Sequence, residues 1–244
     1  MRRFLLLALL VSSVAAQGQG LHRHVPVSAA APLNAEQQSL WTRYEQSIFD
    51  SAVYQRWNVR PLRPLTPDAN GDVLVATLTH RNYTVGETIQ PEGDIWVTGV
   101  PEVQTICRAF KGEVQMQLRE LIGLPPDEDI SHAVVLRASV SDIFRPSPWS
   151  DTSTTLPCPA ATDTACGNTF PTSADPAHVQ WIATADLSLH GVPNGYPWTH
   201  LGYTYNWAPG ADRYGASEYV IRKTAKHPVV VVSNVSPEAY CSPE

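Results

Sequence analysis

Among the side chains able to do chemistry, Glu218 has the most informative setting. It opens the β-branched and aromatic run Glu218-Tyr219-Val220-Ile221 directly after Gly215-Ala216-Ser217. A carboxylate there can face a cleft while its strand stays anchored. Opposite a His or an Arg it can act as a general base, or it can stabilise an oxocarbenium-like transition state. The competing reading is a solvated glutamate at a strand end. His80 and Arg81 close the first expected strand and are candidate partners, and His200 is a third. Each histidine also has a structural reading, as a surface or hydrogen-bonded group.

Next to these groups runs a dense aromatic segment, residues 195–221. On a strand the side-chain period is two, which places Tyr203, Tyr205 and Trp207 on one face and His200, Thr204 and Asn206 on the other. Such a row either packs a core against an amphipathic helix or forms a stacking wall for a base, a nicotinamide or a sugar ring. Parity separates His200 from the tyrosine row unless Gly202 introduces a bulge.

Around these residues stand the elements that must position them. Arg2 and Arg3, the apolar run Phe4 to Val11 and the small residues Val14-Ala15-Ala16 form an export signal over 1–16, and residues 17–33, with His22 and His24, read as a flexible leader. Asn34 and Gln37 match a capping box that opens a helix. Trp41, Tyr44, Ile48 and Ala52 give that helix one face, widened by Leu40, Phe49, Val53 and Trp57. Pro61, Pro64 and Pro67 then form a stiff connector.

Strands are expected over Val73 to His80, Ile95 to Thr98 and Val134 to Val140, with short helices over 101–110 and 113–122. Gly123 stands where a left-handed C-cap belongs. Pro146 to Pro176 reads as a long loop. Ordered segments resume at Val179 to Leu189, Trp198 to Trp207, Ser217 to Arg222 and Val229 to Val232. The sum is an α+β domain over 34–244 with a largely antiparallel sheet, an N-terminal helix, two short helices and a disulfide-stapled loop.

Four cysteines in an exported chain admit three pairings. The favoured one joins Cys158 to Cys166 inside the loop and Cys107 to Cys241. There is no C-x-x-C and no H-x-x-x-H, so no metal site is expected from spacing. Asn82 and Asn234 begin N-x-S/T sequons. After loss of Arg2 and Arg3, 15 basic residues face 23 acidic ones, a net charge of −8. Nucleic-acid binding draws on clustered Lys and Arg, so no nucleic-acid partner is expected. No segment beyond the signal has the run of about 20 apolar residues a membrane anchor needs.

The stretch Gly195 to Ile221 resembles the C-terminal block of a family of uncharacterised secreted bacterial proteins, G-Y-P-W-T-x-L-G-Y-T-Y-x-W followed by G-x-S-E-F/Y-V-I. The segments 121–126 and 144–146 are similar to its earlier blocks. That resemblance implies secretion and carries no activity. The order of elements also resembles ADP-ribosyltransferase-like and NAD-glycohydrolase toxins: a first strand ending His80-Arg81, the strand-to-helix passage Trp96 to Glu102, and a late strand carrying Glu218. The resemblance implies that His80 or Arg81 holds a dinucleotide and that Glu218 supports glycosidic cleavage. Position 216 is Ala rather than Glu, and no S-T-S follows Trp96.

Three functions follow as expectations. The first is a secreted, glycosidic-bond-cleaving or ADP-ribosyl-type effector that uses Glu218, His80 or Arg81 and the Tyr203, Tyr205 and Trp207 wall. NAD would be a substrate and no cofactor would be needed. The second is a non-catalytic module that binds a glycan or a protein through exposed aromatics. The third is a metal-independent ribonuclease built on Glu218, His200 and Arg81. The oligomeric state stays open.

Overall fold

The computed structural model describes residues 33–53, 58–158, 166–192 and 194–242. The segment expected to be an export signal, the residues after it up to 32 with His22 and His24, Trp57 and residues 159–165 lie outside the described residues. Eight strands, β1 (Asp72–Thr79), β2 (Thr88–Ile89), β3 (Ile95–Gly99), β4 (His132–Ser139), β5 (Ile143–Phe144), β6 (Tyr203–Tyr205), β7 (Tyr214–Ile221) and β8 (Val229–Val235), form one sheet. Its order is β2-β8-β4-β1-β3-β7-β5, with β6 beside β7, and every pairing is antiparallel. Five helices accompany it: α1 (Ala35–Ser51), α2 (Glu102–Cys107), α3 (Val114–Ile122), α4 (Pro176–Leu189) and α5 (Pro237–Cys241). The fold is α+β with a largely antiparallel sheet.

Strand alternation divides the core in two. Val73 and Val75 of β1 join Val97, Val134, Leu136, Tyr219 and Ile221 on one face. Ala76 and Leu78 join Val135 and Ala216 on the other, where α2, α3 and α5 supply Val103, Leu118, Leu121 and Tyr240. Disulfide Cys107–Cys241 ties α2 to α5 beneath that face, and Cys158–Cys166 closes the long loop. Both bridges follow the favoured pairing. By the chain-entropy relation the first, spanning 134 residues, contributes about 5 kcal/mol.

The helix starts follow from capping. Asn34 accepts the Gln37 N–H at 2.9 Å while Gln37 accepts the Asn34 N–H at 3.0 Å, a complete capping box. Gly123 ends α3 at φ 72°, as expected from its position. Two helices were not anticipated, α4 and α5. For α4 the signals are Asp175, whose side chain accepts the Ala177 N–H, and Pro176 in the first turn. Its buried residues His178, Ile182, Ala185 and Leu189 recur at helical spacing. The short edge strands β2 and β5 also went unforeseen, because two residues carry no periodicity.

The N-terminal helix is narrower than its sequence suggests. Tyr44 and Ile48 are buried, whereas Phe49 and Val53 are exposed and α1 ends at Ser51, before the prolines. The segment 198–207 is a strand only over Tyr203–Tyr205. The backbone before it turns through positive φ at His200 (58°) and Gly202 (77°), which breaks the alternation that would have aligned the aromatic row.

Candidate functional site

The expected aromatic wall is a core feature. Trp207 and Tyr205 pack with Tyr44 and Ile48 of α1, while Tyr203 belongs to a separate cluster with Leu62, Leu201 and the Cys158–Cys166 bridge. Their polar tips are tied down: Trp207 Nε1–H donates to the Leu124 carbonyl, Tyr203 O–H to the Asn58 carbonyl and Tyr205 O–H to Asp50. A register shift between Tyr203 and Tyr205 sends the two rings to different neighbours. Tyr203 and Trp207 are therefore withdrawn as ligand-stacking residues. Tyr205 borders a cavity, but its ring lies against α1.

Glu218 lies elsewhere, and its surroundings are distinctive. Register places Val135, Ala76, Thr98 and Glu218 in one row across β4, β1, β3 and β7, on the face covered by α2, α3 and α5. The residues around it are small: Ala76, Thr98 and Ala216. Next to Glu218 these short side chains leave space on this face. Gly215 lets the end of α3 come close, since a Cβ there would meet Thr204 Oγ1 at 2.1 Å and the Leu121 carbonyl at 2.2 Å. Thr204 O–H donates to that Leu121 carbonyl at 2.9 Å and accepts the Ala216 N–H, fixing α3 to β6 and β7.

The resulting cavity measures about 570 Å3. Glu218 and Thr98 line it from the sheet, Trp96, Tyr196 and Trp198 supply ring walls, and His80 and Arg81 stand at its border. Glu218, His80 and Arg81 thus border one cavity; His200 does not line it. Arg81 pairs with Glu92 at 3.5 Å, and both are exposed. Glu87, Glu92, Asp94 and Glu128 also line the space, so its border carries more acid than base. Asp94 is fixed there by the Trp181 indole N–H at 2.7 Å and the Lys223 N–H at 2.8 Å.

The Glu218 side chain is 7% exposed, and no described residue donates to its carboxyl or pairs with it. Burial alone pushes its carboxyl up to about 8. Desolvation disfavours the charged form when nothing nearby compensates it. Burial therefore favours the protonated acid over the carboxylate. That revises the role drawn from sequence: neither His80 nor Arg81 pairs with it, and a neutral carboxyl does not electrostatically stabilise a cation. Tyr240, whose hydroxyl is buried without a hydrogen-bond partner among the described residues, lines the same cavity. Burial pushes its hydroxyl upward.

Across β7 the chemistry is the opposite. Ser217, facing away from Glu218, donates its N–H to Glu102 at 3.1 Å, and Arg63 Nε approaches Glu102 at 3.5 Å. Arg145 is fully buried, donates to the carbonyls of Asp151, Gly202, Arg63, Thr152 and Thr154, and lies 4.9 Å from the Tyr219 ring. This network holds the long loop against the sheet.

Sequence reasoning missed a third cluster. Asp186 and His190, four residues apart at the end of α4, meet His200. Asp186 Oδ1 is 2.9 Å from His190 Nδ1 and 3.2 Å from His200 Nε2. Burial and the neighbouring His190 pull the His200 imidazole well below its usual range. A helix over 176–189 would have put Asp186 and His190 on one face, and that was the available signal.

Compared with protein-family models, curated proteins and solved structures, the chain shows no match. No helix among the described residues is long and apolar enough to cross a membrane. What can be said about function rests on the geometry above.

Proposed function

We propose that this chain is an exported hydrolase that cleaves a glycosidic bond in a small, ring-bearing, uncharged substrate, with Glu218 as general acid. The observation that carries the reading is a buried, partnerless carboxyl facing a cavity large enough for such a molecule. An acid held protonated near neutral pH can give its proton to the leaving oxygen or ring nitrogen as the glycosidic bond breaks, the bonding pair passing to that atom. Water then adds to the anomeric carbon, and its proton returns to Glu218. Trp96 and Tyr196, both half-buried at the cavity, supply ring faces for stacking. Export is supported by the N-terminal signal pattern and by two disulfides.

The acidic border favours an uncharged glycoside or nucleoside over a dinucleotide, whose diphosphate would meet Glu87, Glu92, Asp94 and Glu128 with Arg81 as the main counter-charge. The NAD-processing arm nevertheless belongs in the test. Purified protein is incubated separately with nucleosides, aryl glycosides and NAD, and release of base, phenol or nicotinamide is followed. The expected result is turnover of an uncharged substrate that falls above pH 8 and is lost in Glu218→Gln. Release of nicotinamide from NAD alone would restore the dinucleotide reading. No release from any substrate, or release unchanged in Glu218→Gln, removes the enzyme and leaves a binding cavity.

A further inference from the structure

We propose that Asp186, His190 and His200 form a binding site for a first-row divalent metal ion such as Zn2+, clipping the end of α4 to the loop that carries Trp198. The site is distinct from the Glu218 carboxyl and does not depend on the activity proposed above.

Geometry is the first argument. One nitrogen from each histidine and one carboxylate oxygen lie within 4.8 Å of one another. In a tetrahedral site with metal–ligand bonds near 2.0–2.1 Å, adjacent ligand atoms are about 3.3 Å apart. The two contacts to Asp186 Oδ1, 2.9 and 3.2 Å, are already close to that spacing. Small side-chain rotations would open the space for an ion. Two imidazoles and a carboxylate are a donor set suited to zinc and its neighbours.

Hydrogen bonding is the second. His190 Nδ1 faces Asp186 Oδ1, and His190 Nε2 lies 2.9 Å from the Trp198 carbonyl. Both partners are acceptors, and a neutral imidazole has one N–H. An imidazolium would donate to both, and a metal ion at the Asp186 side satisfies them equally: Nδ1 gives its lone pair to the ion and Nε2–H donates to the Trp198 carbonyl. That outer hydrogen bond is the usual companion of a ligating histidine. The Gly167 backbone also hydrogen-bonds the His200 ring.

Placement is the third. His200 is the only non-glycine with positive φ among the described residues, and its Nε2 faces Asp186. The His190 and His200 rings stack at 5.1 Å, and Trp198 lies 3.6 Å from His200, centroid to centroid. Asp186 is exposed, so an ion has a path of entry and a water can take the fourth position. Trp198 is also a wall of the Glu218 cavity, so the clip would steady that wall.

The test uses the full chain, stripped with a chelator and titrated with Zn2+ and separately with Co2+. The expected result is one ion per chain, a visible tetrahedral Co2+ spectrum and a Zn2+-dependent rise in Tm. Asp186→Asn, at an exposed position, and His190→Ala should each weaken binding by more than the roughly 10–100-fold that loss of an outer partner causes. Absence of stoichiometric binding by the wild type overturns the proposal. So does binding of equal strength in both variants, which would place the ion at other histidines.

Discussion

Glu102 and Glu218 are both withdrawn from water, at 3% and 7% exposure, and they serve opposite faces of the same strand pair. Glu102 is fully engaged: the Ser217 N–H and hydroxyl and the Arg63 guanidinium converge on it. Burial raises its pKa, but the Ser217 N–H and Arg63 oppose the rise. Glu218, adjacent to Ser217 in sequence, has burial and nothing to oppose it. Alternation along β7 sends neighbouring side chains to different environments. The partnered carboxylate is architecture, and the partnerless one faces a cavity. A carboxyl withdrawn from bulk water that no described residue satisfies calls for an explanation, and the cavity it borders offers one.

The contrast can be broken by mutation. The largest effect belongs to Glu218→Gln, which should reduce turnover by roughly 10²–10⁴-fold, the usual contribution of a general acid, while ligand binding is kept. Loss of binding with folding intact would contradict a purely catalytic role. On the sealed face, Arg145→Met strands several buried carbonyls and should lower unfolding free energy by on the order of 3–5 kcal/mol in denaturant titrations. Glu102→Gln should cost less, about 1–3 kcal/mol, because the amide still accepts from Ser217 but leaves Arg63 without its counter-charge. Turnover of the folded fraction should be unchanged. Ser217→Ala keeps the N–H bond to Glu102 but removes the hydroxyl that accepts the Arg63 N–H at 2.8 Å, so about 1–2 kcal/mol is expected. If Glu102→Gln cost more activity than Glu218→Gln, the assignment of the two faces would be reversed.

Much of this was legible in the sequence. The run Gly215 to Ile221 marked Glu218, the capping residues marked α1, and cysteine arithmetic favoured the two bridges. Which carboxylate lacked a partner was not legible, because that depends on the Thr98–Glu218 register and on Ala76 and Ala216 being small and close by. The ring walls were misassigned for a related reason. Alternation is interrupted at His200 and Gly202, so Tyr203, Trp207 and Trp198 are all buried in separate core clusters, and the half-buried rings that line the cavity, Trp96 and Tyr196, come from outside the row. Asp186 and His190 were overlooked because the 176–189 segment was not read as a helix. Without it the pair has no common face, and His200 joins it only through the fold.

The most direct test of the central claim is the pH dependence of stability, wild type minus Glu218→Gln. An unfolded glutamate titrates near 4.5 and the folded one near 8, so between those values the native state holds the extra proton. Wild-type stability should therefore fall relative to the variant as pH rises from 4.5 to 8, by up to roughly 5 kcal/mol, and level off above. A difference that stays flat across this window, or that grows in favour of the wild type as pH rises, would mean a solvated or partnered carboxylate and would contradict the account.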